Sequence, residues 1–97
     1  MSFYAMLIVD VKDPAGYGTY AAGAAKLQPA HEFDVLCAGT APIPVEGSVP
    51  PGKVVLLRFK DQSAFDGWYQ SKEYQDVIPL RVKSADTNLF VAFEGIA

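Results

Sequence analysis

A chain of 97 residues has room for one domain, read here as a single unit over residues 1–97, and its core is thin for lack of volume. Eight basic residues against eleven acidic ones give a net charge of −3, with the basic residues scattered. This excludes the basic stripe that nucleic acid or an anionic membrane surface requires. Half of the residues are hydrophobic and 12% are aromatic, which is rich for so short a chain and suggests that some apolar surface is buried against another subunit. A single cysteine, Cys37, excludes an intrachain disulfide and fits a reducing, cytoplasmic setting. The start Met1-Ser2-Phe3-Tyr4 lacks the positive region of a secretory signal.

Phe3 to Val11 is apolar on both faces, which predicts a central strand covered on both sides. Its apolar part is too short to span a bilayer. Asp13 and Pro14 mark a helix start, followed by an apolar stripe of Tyr17, Tyr20, Ala21, Ala24 and Leu27. Gly16, Gly18 and Gly23 each cost this helix about 1 kcal/mol relative to Ala, so it must lean on tertiary packing. Pro29 is expected to end it. Residues 33–38 read as a second strand, and Gly39 to Gly52, with four prolines and three glycines, as a long loop.

Residues 53–60 are β-branched and apolar, a third strand. Asp61 caps a helix carrying Ala64, Phe65, Trp68 and Tyr69 on one side. After Ser71 a further helical stretch places Tyr74, Val77, Ile78, Arg81 and Ala85 at near-helical spacing, with a break expected at Pro79. Residues 88–94 close the chain as a fourth strand.

The order strand, helix, strand, strand, helix, strand is the ferredoxin-like βαββαβ pattern, an α+β fold with a four-stranded antiparallel sheet and helices on one face. The first and third strands are expected side by side in the middle and, on the right-handed crossover rule, parallel. The open face of such a sheet would be oily, and a second copy is its cheapest cover. The expectation is a homodimeric α+β barrel.

The stretch Phe59 to Phe65, then Trp68-Tyr69-Gln70-Ser71-Lys72-Glu73-Tyr74-Gln75, then Pro79-Leu80-Arg81 and Ala85-Asp86, resembles the signature of the domain-of-unknown-function 1330 family. Val11-Lys12-Asp13-Pro14, Glu46-Gly47 and Glu94-Gly95 fit as well, so the resemblance spans the chain. One departure is His31-Glu32, where many relatives have Gly-Gly. The resemblance implies the dimeric α+β-barrel superfamily, which includes cofactor-free monooxygenases and lactone isomerases. It implies no settled activity.

Two groups of residues carry candidate chemistry. Asp10 and Arg58 sit on the strand faces turned away from the helices and would form a charged pair if the strands ran parallel. Beside them stands His31, the only histidine, as a proton carrier, against the plainer reading of a solvated loop side chain. Trp68, Tyr69, Ser71, Tyr74 and Arg81 form a ligand-binding group, with Arg81 able to hold a carboxylate. Here the plainer reading is a core indole, a helix cap and a tie between helix and loop. Cys37 reads as an inert thiol, and neither a metal site nor a cofactor is expected. Nucleotide-binding and hydrolase motifs are absent from the sequence. The expectation is therefore a pocket for a small anionic or aromatic molecule without catalysis. The alternative is a cofactor-independent enzyme in which Asp10 or His31 moves a proton and Arg58 stabilises an oxyanion.

Overall fold

The computed structural model describes all residues from Met1 to Ala97. Its elements are β1 (Phe3–Val11), α1 (Pro14–Ala25), α2 (Gln28–His31), β2 (Asp34–Thr40), β3 (Lys53–Phe59), α3 (Gln62–Tyr69), α4 (Lys72–Ser84) and β4 (Ala85–Glu94). One four-stranded sheet in the order β2-β3-β1-β4 carries them, with every neighbouring pair antiparallel. Side chains alternate along each strand, so Phe3, Ala5, Leu57 and Phe59 share one face. They pack into a single core with Tyr20, Phe33, Trp68 and Tyr74 from the helices and the approach to β2. Val55, Leu57 and Phe59 therefore meet the helices as expected.

Four expectations are corrected. β1 and β3 are adjacent and central but antiparallel, with Tyr4 opposite Arg58 and Val9 opposite Lys53. The crossover rule governs parallel strands joined through a helix, here β1 and β2, and the hairpin after β2 turns the chain round before β3. Pro29 does not end α1, which stops at Ala25. It opens the one-turn helix α2, where a missing N–H costs nothing.

Pro79 does not break α4. It lies exposed, where water can meet the carbonyl it frees, while Tyr74, Arg81 and Ser84 hold the helix down from the buried side. Ala85 is the first residue of β4, not the last of the helical stripe. In addition β2 runs two residues further than expected, to Thr40, with register shifts along it.

The caps work unequally. Asp61 accepts from the Ala64 N–H at 2.8 Å, and Ser71 accepts from Tyr74 N–H at 3.2 Å while its own hydroxyl donates to the Trp68 carbonyl at 2.7 Å. Asp13 holds the N-cap position of α1 without a side-chain cap bond. Instead the backbone N–H groups of Lys12 and Asp13 donate to the Ser84 carbonyl at 2.8 and 2.9 Å, fastening the start of α1 to the end of α4. Further along, a Cβ on Gly23 would come within 2.9 Å of Val77 on α4, so the weak helix former is what permits the close approach of the two helices.

The opposite face of the sheet carries no helix. Tyr4, Met6, Ile8, Val54, Leu56, Leu89, Val91 and Phe93 line it by strand alternation and register, and Tyr4 stacks on Phe93 with centroids 6.0 Å apart. Val91 and Phe93 are 38% and 45% exposed, a contiguous oily strip without cover in the single chain. No helix of the chain is long and apolar enough to cross a membrane.

Candidate functional site

The main hollow lies under α1, on the helix side of the sheet. Small residues make it: Ala21, Ala24 and Ala25 stand off from Leu7, Val9, Val55 and Leu57 and leave a cavity of about 460 Å³. Its floor is formed by the buried side chains of Tyr20, Phe33 and Trp68. Exposed Val11, Ala25, Val35, Ala38, Gly39 and Lys53 form the rim, so the mouth opens between α1 and the β2 edge. Fourteen of its seventeen lining residues are hydrophobic, which makes it a space for an apolar body.

Behind the floor sits an aromatic cluster. Trp68 packs on Tyr74 at 4.1 Å between centroids, and on Phe59 and Phe33 at 5.3 and 5.5 Å. Tyr74 is fully buried and shares a 2.7 Å hydrogen bond with the hydroxyl of Tyr20 across 54 residues of sequence. Tyr69 lies edge-on to Phe90 at 5.7 Å. Burial raises the pKa of the Tyr17, Tyr20 and Tyr74 hydroxyls above the usual range, most strongly for Tyr74, so all three are neutral at physiological pH.

Arg81 is 4% exposed, with its guanidinium carbon 5.6 Å from the Tyr20 ring centroid and 5.3 Å from that of Phe90. Its Nε and Nη1 have no hydrogen-bond partner, and neither has Trp68 Nε1.

Of the expected ligand-binding residues, Trp68, Tyr69, Tyr74 and Arg81 therefore come together. Ser71 is joined to them only through its cap, its hydroxyl already engaged at both ends. Tyr17 and Tyr20 were expected only as part of a core stripe, yet both line the cavity. The signal was available: two tyrosines on a face otherwise made of alanines and Leu27 bring polar hydroxyls to an apolar seam.

Asp10 and Arg58 do not meet. In the antiparallel register Arg58 lies opposite Tyr4, six residues from Asp10, or about 20 Å along the strand. Arg58 instead holds Asp34 of β2 at 2.8 and 3.1 Å, and Asp10 receives Lys12 at 2.9 Å. Both pairs are open to solvent, where such contacts are screened and contribute little. His31 ends α2 beside Glu32, whose backbone is left-handed at φ 53°, above a separate polar hollow with Lys60, Asp61 and Ser63. Neither His31 nor Asp10 lines the apolar cavity. Cys37 is half-buried, its Sγ donating to the Val54 carbonyl at 3.4 Å.

An antiparallel four-stranded sheet with its helices on one face, joined in βαββαβ order, makes this a ferredoxin-like α+β domain with a hollow between the layers. Residues 2–95 match the domain of unknown function 1330 family, and the chain belongs to that family. Solved structures agree on the fold. A protein of unknown function from Rhodopseudomonas palustris is similar with a TM-score of 0.77 at 12% identity, over 99% of this chain and 83% of that one. A dimeric ferredoxin-like protein of unknown function from Jannaschia sp. gives 0.73 at 18%, over 98% and 100%. A dabb family protein with a ferredoxin-like fold from Mesorhizobium loti gives 0.65 at 12%, over 99% and 98%. None of the curated proteins matches the chain.

Proposed function

We infer that the chain is a homodimeric small-molecule-binding protein whose binding site is the cavity under α1 in each subunit. The observation that carries the reading is the hollow itself. A small domain has little core to spare, and 460 Å³ left open under α1 is far more than the voids that packing imperfections leave. Its apolar walls suit the body of an aromatic or compact hydrocarbon molecule, and Tyr17 and Trp68 offer ring faces for stacking.

The dimer reading rests on the open face. The chain is a slab of 33 × 30 × 16 Å, and its broad side is large enough for a stable interface of ~800 Å² per partner. A second copy is the occupant with matching shape and chemistry, as in the Jannaschia relative, described as dimeric. Phe93→Lys is expected to convert the dimer to a monomer in sedimentation at micromolar concentration. A wild-type protein that sediments as a monomer there contradicts this part of the reading.

Calorimetric titration with 1-naphthol, a neutral planar probe, tests the cavity. The wild-type chain should bind it, and Ala24→Phe, which puts a ring into the cavity from α1, should abolish binding while the fold is retained by circular dichroism. Equal binding by both chains would place the probe elsewhere and remove the reading.

A further inference from the structure

Three buried side-chain polar atoms of the chain lack a partner: Trp68 Nε1, Arg81 Nε and Arg81 Nη1. All three are N–H donors, and all belong to one aromatic cluster behind the cavity floor, in which Trp68 lies against Tyr74 and Arg81 against Tyr20. The shortage is one-sided. Nothing here lacks a donor; what is missing is an acceptor.

A guanidinium cannot relieve this by turning a donor into an acceptor, because all its N–H groups only donate. Nor do the surrounding rings satisfy it: cation–π contact with Tyr20 and Phe90 offsets part of the desolvation but accepts no hydrogen bond from Nε or Nη1. The nearby tyrosine hydroxyls bond each other at 2.7 Å, and neither accepts from Arg81 Nε or Nη1. Buried charges are stable when they are paired, and no carboxylate of this chain pairs with Arg81.

We propose that the molecule held under α1 is an aromatic carboxylic acid, its ring in the apolar cavity and its carboxylate reaching past Tyr20 to the unmet donors of Arg81. This rests on the cavity reading and adds the class of ligand to it. The carboxylate supplies the missing negative charge and acceptor oxygens together. Arg81 does not itself line the cavity; Tyr20 lines it and lies against the guanidinium, so Tyr20 is the side chain that must turn aside for the acid to reach Arg81. The competing cation is Lys53, exposed on the rim, which would read an acid at the mouth instead.

Calorimetry with 1-naphthoate and its neutral isostere 1-naphthamide separates these cases. The wild-type chain should bind the acid about tenfold or more tighter than the amide at neutral pH. In Arg81→Met the preference should vanish while the amide still binds, and in Arg81→Lys, which keeps the charge, part of it should return. Equal affinities in the wild-type chain overturn the inference and leave the cavity reading standing. A preference kept in Arg81→Met and lost in Lys53→Met overturns it by placing the acid at the mouth. If neither probe binds, the cavity reading falls and this inference falls with it.

Discussion

Trp68→Ala is expected to lower stability by about 3–5 kcal/mol, the range for truncating a large buried aromatic side chain. The indole is 2% exposed and touches Phe33, Phe59, Phe65 and Tyr74, so it joins the sheet, α3, α4 and the approach to β2. Its removal would add an indole's volume to the hollow beside it, and the neighbouring rings are fixed by one another and cannot close that space. Small domains hold only about 5–15 kcal/mol in total, so much of the margin goes. Trp68→Phe should cost distinctly less, because it keeps most of the packing and deletes the unmet Nε1 donor. Urea midpoints at fixed protein concentration measure both, with the slope unchanged if the unfolded state is the same. A loss under about 1 kcal/mol for Trp68→Ala would mean that the indole is not the joint of this core.

Arg81→Met is expected to act in the opposite direction. An apolar side chain of similar length removes an unpaired buried cation, and since replacing even paired buried charges is neutral or gains about 1–4 kcal/mol, a gain in that range is expected. Two terms hold the gain toward the low end. Cation–π contact with Tyr20 and Phe90 contributes up to ~2 kcal/mol in a dry site. A cation in the last turn of α4 also interacts favourably with the helix dipole, by about 0.3–1 kcal/mol. Thermal denaturation of the ligand-free protein should therefore show a higher midpoint, by about 4–8 °C for each kcal/mol in a domain of this size. A clear fall would show that Arg81 is a structural tie between α4 and its neighbours. The same substitution that stabilises the empty protein should then weaken the binding of an acid, a trade that a purely structural arginine would not show.

Much of the architecture was legible because it follows from local patterns. The apolar runs of β1 and β3 are too short for helices buried on all sides, and Asp61 and Ser71 stand where caps are needed. The helix-facing side of β3 could be read from Val55, Leu57 and Phe59 alone. Strand direction could not be read from pattern, since alternation is the same in both senses. Counting reversals settles it: the helix between β1 and β2 brings the chain back once, and the hairpin after β2 turns it again.

Mistaking that direction is what brought Asp10 and Arg58 together in expectation. The boundary at Ala85 was hidden because alanine serves a helix stripe and a buried strand start equally well. The aromatic group of the site was legible because Trp68, Tyr69 and Tyr74 recur at short spacing in one segment. The Tyr20–Tyr74 bond was not, since it spans α1 and α4 and depends on how closely Gly23 lets them approach. A chamber between the open faces of two copies was one expected place for a pocket. The single chain forms a hollow of its own on the other side of the sheet, because α1 is built from alanines that do not fill the space over Val9, Val55 and Leu57.

Which of these two places takes a ligand is also the most direct thing to measure. A hollow within each subunit predicts that calorimetric titration of the dimer with 1-naphthol saturates at one molecule per chain, with a single affinity. Saturation at one molecule per dimer would put the probe in a chamber shared between the two sheets and contradict the account.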